Sequence, residues 1–267
     1  MKIRQIGAIA LAFAGLAAAQ DKVTVPLSNP SQPATIRVSQ IHGSITVTAG
    51  QAGQVVVDTP AGTSSRRNRP EPPPGMHRID ADRGGMDITE ENNVVTVQTG
   101  RMGMGGNVTI AAPPNASLRL NSVNGGHIDV TGISGEIEAD IVNGAIMLKN
   151  VVGAVVAHSV NGSITVNLEK VTSDKPMSFT TLNGKIDVTL PADTKARLRL
   201  KSERGEIFTD FDVKLEPDSS KPVIEDGRGN NGKYRIRIDR SLYGSINGGG
   251  PEYRFESMNG SIVIRKK

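Results

Sequence analysis

The chain has 267 residues, 31 Lys+Arg against 27 Asp+Glu for a net charge of +4, 3% aromatic residues, and neither Cys nor Trp. That length allows one large all-β domain or two ordinary ones, and the absence of Cys excludes disulfides, thiolate metal sites, thiol nucleophiles and a lipid-modified Cys. Balanced charge and few stacking surfaces argue against nucleic acid as a partner.

At the N-terminus, Lys2 and Arg4 precede an apolar run over 6–18 that ends in Leu16-Ala17-Ala18-Ala19-Gln20, with small residues where a signal peptidase reads. The run is shorter than the ~20 residues needed to span a bilayer, so 1–19 reads as a cleaved export signal rather than an anchor. Residues 20–267 are then expected to form a single domain with no transmembrane segment, located in the periplasm, at the cell surface or in the medium.

Residues 35–47 read as strand–turn–strand around Ile41-His42-Gly43. The segment 59–78 holds many prolines, little apolar matter and the cluster Arg66, Arg67 and Arg69. It is expected to be a mobile loop ejected from an early turn. Strands are expected at 93–98 and 107–112, flanking a Gly-rich stretch at 100–107.

From residue 122 onward one phrase keeps returning. It reads Ser122-Val123-Asn124-Gly125-Gly126-His127-Ile128, then Ile141-Val142-Asn143-Gly144-Ala145-Ile146, then Ser159-Val160-Asn161-Gly162-Ser163-Ile164. Weaker half-copies at 133–139 and 151–157 place Gly126, Gly135, Gly144, Gly153 and Gly162 nine residues apart. Further copies are Thr181-Leu182-Asn183-Gly184, the degenerate Ser202-Glu203-Arg204-Gly205, and Ser257-Met258-Asn259-Gly260. A second Gly-rich loop is expected at 225–233 and a strand at 233–239, with 233–267 closing the fold.

Ile128/Val130, Ile146/Leu148, Ile164/Val166 and Ile186/Val188 alternate with polar neighbours, the two-residue period of a strand with one buried face. Asn-Gly supplies residues that tolerate positive φ and so a sharp turn. On its own it suggests a hairpin. A hairpin meander does not explain recurrence every eighteen residues, whereas a coil with two short strands per turn does.

The expected fold is therefore all-β, a single-stranded parallel β-solenoid (β-helix or β-roll-like) with two-strand coils of about 18 residues. Ile146 would lie over Ile128 and under Ile164, and Ala139 near Ala157, at ~4.8 Å per layer. The structural turns would be Asn124-Gly125, Asn143-Gly144, Asn161-Gly162, Asn183-Gly184 and Asn259-Gly260. The asparagines could stack as a hydrogen-bonded column, or each could be a turn former with a solvated side chain.

No catalytic, cofactor-binding or metal-ligating residues are assigned. The turns lack the Gly-Gly-x-Gly-x-Asp pattern of calcium-binding nonapeptides, so Asp129, Glu136, Glu138, Asp140 and Asp187 are expected to face water. Gly227-Arg228-Gly229-Asn230-Asn231-Gly232 fits a dinucleotide pattern, but a strand follows it where that mechanism needs a helix. His42, His77, His127 and His158 lack the spacing of a metal pair. Glu136 and Glu138 could in principle serve acid–base work on a polysaccharide. Arg66, Arg67, Arg69 and the terminal Arg265-Lys266-Lys267 read as solvated charge, which also discourages end-to-end stacking.

The repeated phrase, with Gly244-Ser245-Ile246-Asn247-Gly248 and the closing Ser257–Ile264 copy, resembles the bacterial putative-adhesin family of unknown-function β-solenoid domains. The resemblance covers roughly 35–267 and implies an exported envelope protein with no catalytic residues. The expected role is non-enzymatic, presenting an extended surface to an envelope or surface macromolecule, protein or polysaccharide. The expected state is a monomer, with end-to-end association open. The alternatives are a polysaccharide-acting lyase or hydrolase, or a structural or sensing module.

Overall fold

The computed structural model describes residues 21–59, 86–99, 106–172, 174–216, 223–226, 234–237 and 241–267. The expected export signal at 1–19, nearly all of the expected loop at 59–78 with its arginines and His77, residues 100–105 and the glycine pattern at 227–232 lie outside the described residues.

Among the described residues every regular element is a strand. The N-terminal part contains β1 (Asp21–Pro26), β2 (Thr35–His42), β3 (Ile45–Ala49), β4 (Gln54–Thr59), β5 (Met86–Glu91), β6 (Val94–Thr99) and β7 (Val108–Ala112). The central part contains β8 (Ser117–Asn124), β9 (His127–Thr131), β10 (Ile137–Asn143), β11 (Ala145–Gly153), β12 (Val155–Asn161), β13 (Ile164–Val171), β14 (Met177–Asn183) and β15 (Ile186–Leu190). Then follow β16 (Ala196–Ser202), β17 (Ile207–Thr209), β18 (Lys214–Leu215), β19 (Val223–Asp226), β20 (Tyr234–Arg237), β21 (Leu242–Ile246), β22 (Glu252–Asn259) and β23 (Ile262–Lys266).

Two large sheets contain almost all of them. One runs β1-β4-β7-β3-β9-β11-β13-β15-β23-β17, the other β18-β21-β16-β22-β14-β12-β10-β8-β2-β6-β5. From β8 to β15 successive strands alternate between the sheets, so β8/β9, β10/β11, β12/β13 and β14/β15 each make one two-strand rung. Neighbouring rungs pair in parallel, Ile146 opposite both Ile128 and Ile164, and Ala139 opposite Ala157.

The fold is all-β, with mixed parallel and antiparallel pairing. An offset of 18 residues holds between Ile128, Ile146 and Ile164, but Ile186 follows at 22 and Ile262 faces Ile186. The coil of about 18 residues expected for the fold therefore holds over this central stretch and not beyond it. The rungs are also out of sequence order. β6/β7 lies outside β2/β3, and β22/β23 lies between β14/β15 and β16/β17. The strands at 252–266 do not close one end, as expected, but fill an interior layer. Among the described residues β20 pairs with β19, antiparallel, in a small sheet of two strands.

Antiparallel strands sit at both ends of the stack. β5 covers β6, β4 and then β1 cover β7, and β21 covers β16. Of the four sheet ends, three therefore carry antiparallel strands, whereas the fourth is β17, parallel to β23; such end strands blunt the exposed edges of the parallel stack.

The space between the sheets is filled by inward columns, Ile128-Ile146-Ile164-Ile186-Ile262 from one sheet and Leu120-Ala139-Ala157-Phe179-Phe255 from the other, all essentially inaccessible to water. Small residues in the middle of the second column give way to the stacked rings of Phe179 and Phe255, whose centroids lie 5.0 Å apart. Each fully buried aliphatic side chain contributes about 1.5–3 kcal/mol.

Candidate functional site

The Asn-Gly corner between the sheets is where the repeated phrase converges. Asn143 Nδ2 donates to Asn124 Oδ1 at 2.9 Å, Asn161 Nδ2 to Asn143 Oδ1 at 2.9 Å, Asn183 Nδ2 to Asn161 Oδ1 at 2.7 Å, and Asn259 Nδ2 to Asn183 Oδ1 at 2.6 Å. All point the same way. Where the degenerate copy has Arg204 in place of Asn, its Nη1 donates to Asn259 Oδ1 at 3.1 Å and ends the ladder with a cation.

The glycines of this corner have a different cause from the one expected. Of the five, only Gly144 adopts positive φ. A Cβ built on Gly162 would lie 1.8 Å from the Gly144 carbonyl oxygen, one on Gly184 2.1 Å from that of Gly162, and one on Gly260 1.9 Å from that of Gly184. Layer spacing, rather than turn conformation, forbids a side chain. Gly126, counted in the nine-residue series, is also not the stacking glycine. Gly125 is, its built Cβ reaching 2.6 Å from Gly43 O.

The residue two before each Asn carries a role that was not read from the sequence. Ser159 Oγ donates to Gly144 O, Thr181 Oγ1 to Gly162 O, Ser257 Oγ to Gly184 O and Ser202 Oγ to Gly260 O, at 3.0–3.1 Å. These hydroxyls lie just inside the corner and satisfy carbonyls that the turn leaves unpaired. The recurrence of Ser or Thr at that position was the available signal, and Ile141 is the copy that breaks it.

Between hydroxyl and amide stands a residue that points outward. Ile41, Val123, Val142, Leu182 and Met258 are 38–48% exposed, and Val160 is half-buried. Register places them in one column across β2, β8, β10, β12, β14 and β22. This apolar column runs directly beside the Asn ladder. Strand alternation explains it, because the position is odd relative to the core residues of its own strand.

Charge lies farther along the same face. Arg37, Arg119 and Glu138 are cross-strand neighbours, with Arg119 Nε 3.5 Å from Glu138 Oε2 and Lys175 ion-paired to Glu136. With Val156 they line an open groove of about 440 Å³. A second depression of about 210 Å³ lies against Asp140 and His158. Burial raises the Asp140 carboxyl above its usual range, Glu138 adds to this, and His158 opposes it.

The other residues singled out are dispersed. His127 sits between Ser44 Oγ and Asp129 Oδ2, each 3.3 Å away, and His42 pairs in register with Asn124. Asp129, Asp140 and Asp187 are half-buried rather than fully in water, while Glu136 and Glu138 are exposed and ion-paired. Arg265 binds Asp187, and Lys267 pairs with Glu169. Among the described residues no three His, Asp or Glu side chains converge as metal ligands, and no helix is long and apolar enough to cross a membrane.

These features define an all-β protein of stacked two-strand rungs with a patterned outer face. The chain belongs to the Toastrack DUF4097 family, whose model matches residues 106–242, just over half of it. No functionally curated protein matches the chain in sequence. Among solved structures it is similar to one titled a putative cell adhesion protein from Clostridium sporogenes ATCC 15579, at 8% identity and a TM-score of 0.45, covering 93% of this chain and all of that one. A structure titled a putative adhesin from Bacteroides fragilis NCTC 9343 matches at 10% identity and a TM-score of 0.28, covering 95% of this chain and all of that one. Both likenesses are too distant to bear on function.

Proposed function

We propose that this chain is an exported, non-catalytic envelope protein, a two-sheet parallel β-solenoid that presents one outer face to a macromolecule. The observation that carries this reading is the exposed apolar column beside the Asn ladder. Six apolar side chains aligned on one rigid outer face support a contact role for that face. Export is supported by the basic and apolar pattern of 1–19. The Asn-Gly turns serve as structure, holding the rungs in register. Antiparallel strands at three of the four sheet ends support a monomer over end-to-end association.

Fractionation of cells expressing the full chain tests the address, and cross-linking in envelope fractions tests the surface. Recovery in an extracytoplasmic fraction, in cross-linked species that Val142→Glu abolishes, is expected. Cytoplasmic retention, or cross-linking indifferent to Val142→Glu, would overturn it. The groove beside Glu136 and Glu138 favours a second reading, a polysaccharide-cleaving enzyme. Reducing-end release from a glycan panel, lost in Glu136→Gln or Glu138→Gln, would select that reading instead.

A further inference from the structure

The band formed by the apolar column and the Asn ladder contains no Asp, Glu, Lys or Arg of its own, although 22% of the chain is charged and Asp140 and His158 border the depression that Val123, Val142 and Val160 line. Cationic Arg204 stands at one end, and His42 beside Ile41 at the other. At ~4.8 Å per layer and ~3.3 Å per residue, six layers and two residue positions give a band about 24 Å long and about 7 Å wide. That is roughly 170 Å², far below the about 800 Å² per partner of a standard protein interface. A second copy of the chain, or another folded protein, would find too little area here. A single narrow chain lying across the strands fits.

The ladder also has capacity to spare. Each Asn amide carries two N–H donors and two acceptor lone pairs, and an interior rung uses one of each along the column. One donor and one acceptor per layer remain for a ligand. An extended peptide finds its main-chain partners at a sheet edge, and this face offers none, because β8, β10, β12, β14 and β22 are paired on both sides. An anionic polymer would seek the Arg37 and Arg119 row instead. A neutral sugar chain matches both halves of the band, its C–H faces meeting the aliphatic column and its edge hydroxyls the amides.

We propose that the band binds a neutral, linear polysaccharide laid along the stacking axis. This ligand class presupposes the binding role proposed above. Without aromatic platforms each chain binds weakly, and a polymer offering many repeats raises retention through avidity.

The test is co-sedimentation of the purified full chain with microcrystalline cellulose, chitin and, as the anionic comparison, calcium pectate. Depletion by cellulose or chitin is expected to resist added salt and to fall at least tenfold in Val142→Glu/Val160→Glu. The milder Val142→Thr/Val160→Thr, which keeps β-branching, should also reduce it if the charged variant melts early. Arg119→Ala should leave it unchanged. Depletion by neither neutral polymer, salt-sensitive binding to pectate alone, or binding indifferent to both band variants would overturn the assignment. If the band variants abolish envelope cross-linking while cellulose and chitin still fail to bind, the sugar class falls and the binding surface stands. If cross-linking survives them, the binding surface falls too.

Discussion

Asn259 and Asn183 share a side-chain hydrogen bond of 2.6 Å although 76 residues separate them. The bond exists because β22/β23 enters the stack between β14/β15 and β16/β17. Phe255 lies against Phe179 on one side and opposite Leu200 on the other, and Ile262 is opposite both Ile186 and Ile207. The last rung in sequence is thus an interior layer.

Truncation before Glu252 should therefore be far more damaging than removal of β1, which among the described residues pairs with β4 alone at the sheet edge. Loss of Tyr253, Phe255, Ile262 and Ile264 forfeits about 1.5–3 kcal/mol of burial for each side chain. Thermal melts followed by circular dichroism should show loss of the cooperative transition in the first case and a modest fall in Tm in the second. Similar melts for the two truncations would contradict the interior placement.

Gly162 offers a test of why the corner needs glycine. Its Cβ would collide with the backbone of the layer below. Gly162→Ala and Gly162→Asn should then both cost about 3 kcal/mol, as forced overpacking does. Were positive φ the requirement, Asn would be tolerated better than Ala. Urea unfolding of the two variants separates these causes.

Ile164 and Thr165 are adjacent but face opposite ways, the first inaccessible and the second exposed. Ile164→Ala should cost about 2–5 kcal/mol, and Thr165→Ala about 0.5 kcal/mol or less. Chemical denaturation measures both. Equal costs would mean the sheet is turned the other way.

Asp187 should make stability depend on acid. Burial pushes its carboxyl up, but hydrogen bonds from Arg265 at 2.9 and 3.2 Å and from Lys185 at 2.7 Å outweigh it and hold the group below the usual carboxylate range. A lowered folded-state pKa adds stability above the unfolded value of ~3.9, and that stability disappears as pH falls through the folded value. Asp187→Asn should accordingly lower stability near neutral pH by at most about 1 kcal/mol for so exposed a pair of cations, and Tm with it. The difference from the parent should vanish in strong acid, and melts across the pH range would show it.

Much of the central architecture was legible because its signal is local. Alternation in Ile164-Thr165-Val166 shows which face is buried, and recurrence of Ser159-Val160-Asn161-Gly162 shows which residues are equivalent. Equivalent residues do stack, as Ile146 does on Ile128. The hydroxyls of Ser159 and Thr181 were missed because their partners are carbonyls one layer away. The apolar column was missed because Val142 or Leu182 beside an Asn looks like ordinary strand composition until six copies are aligned across strands.

The amino-acid sequence by itself determined the β character, the two-residue period and the set of interchangeable rungs, since these depend on neighbours a few positions apart. Which rung lies beside which was decided only in three dimensions. Near-identical phrases offer near-identical surfaces, so local pattern cannot choose among them. The choice falls to contacts between distant segments, such as the packing of Phe255 on Phe179 and the reach of Arg204 to Asn259.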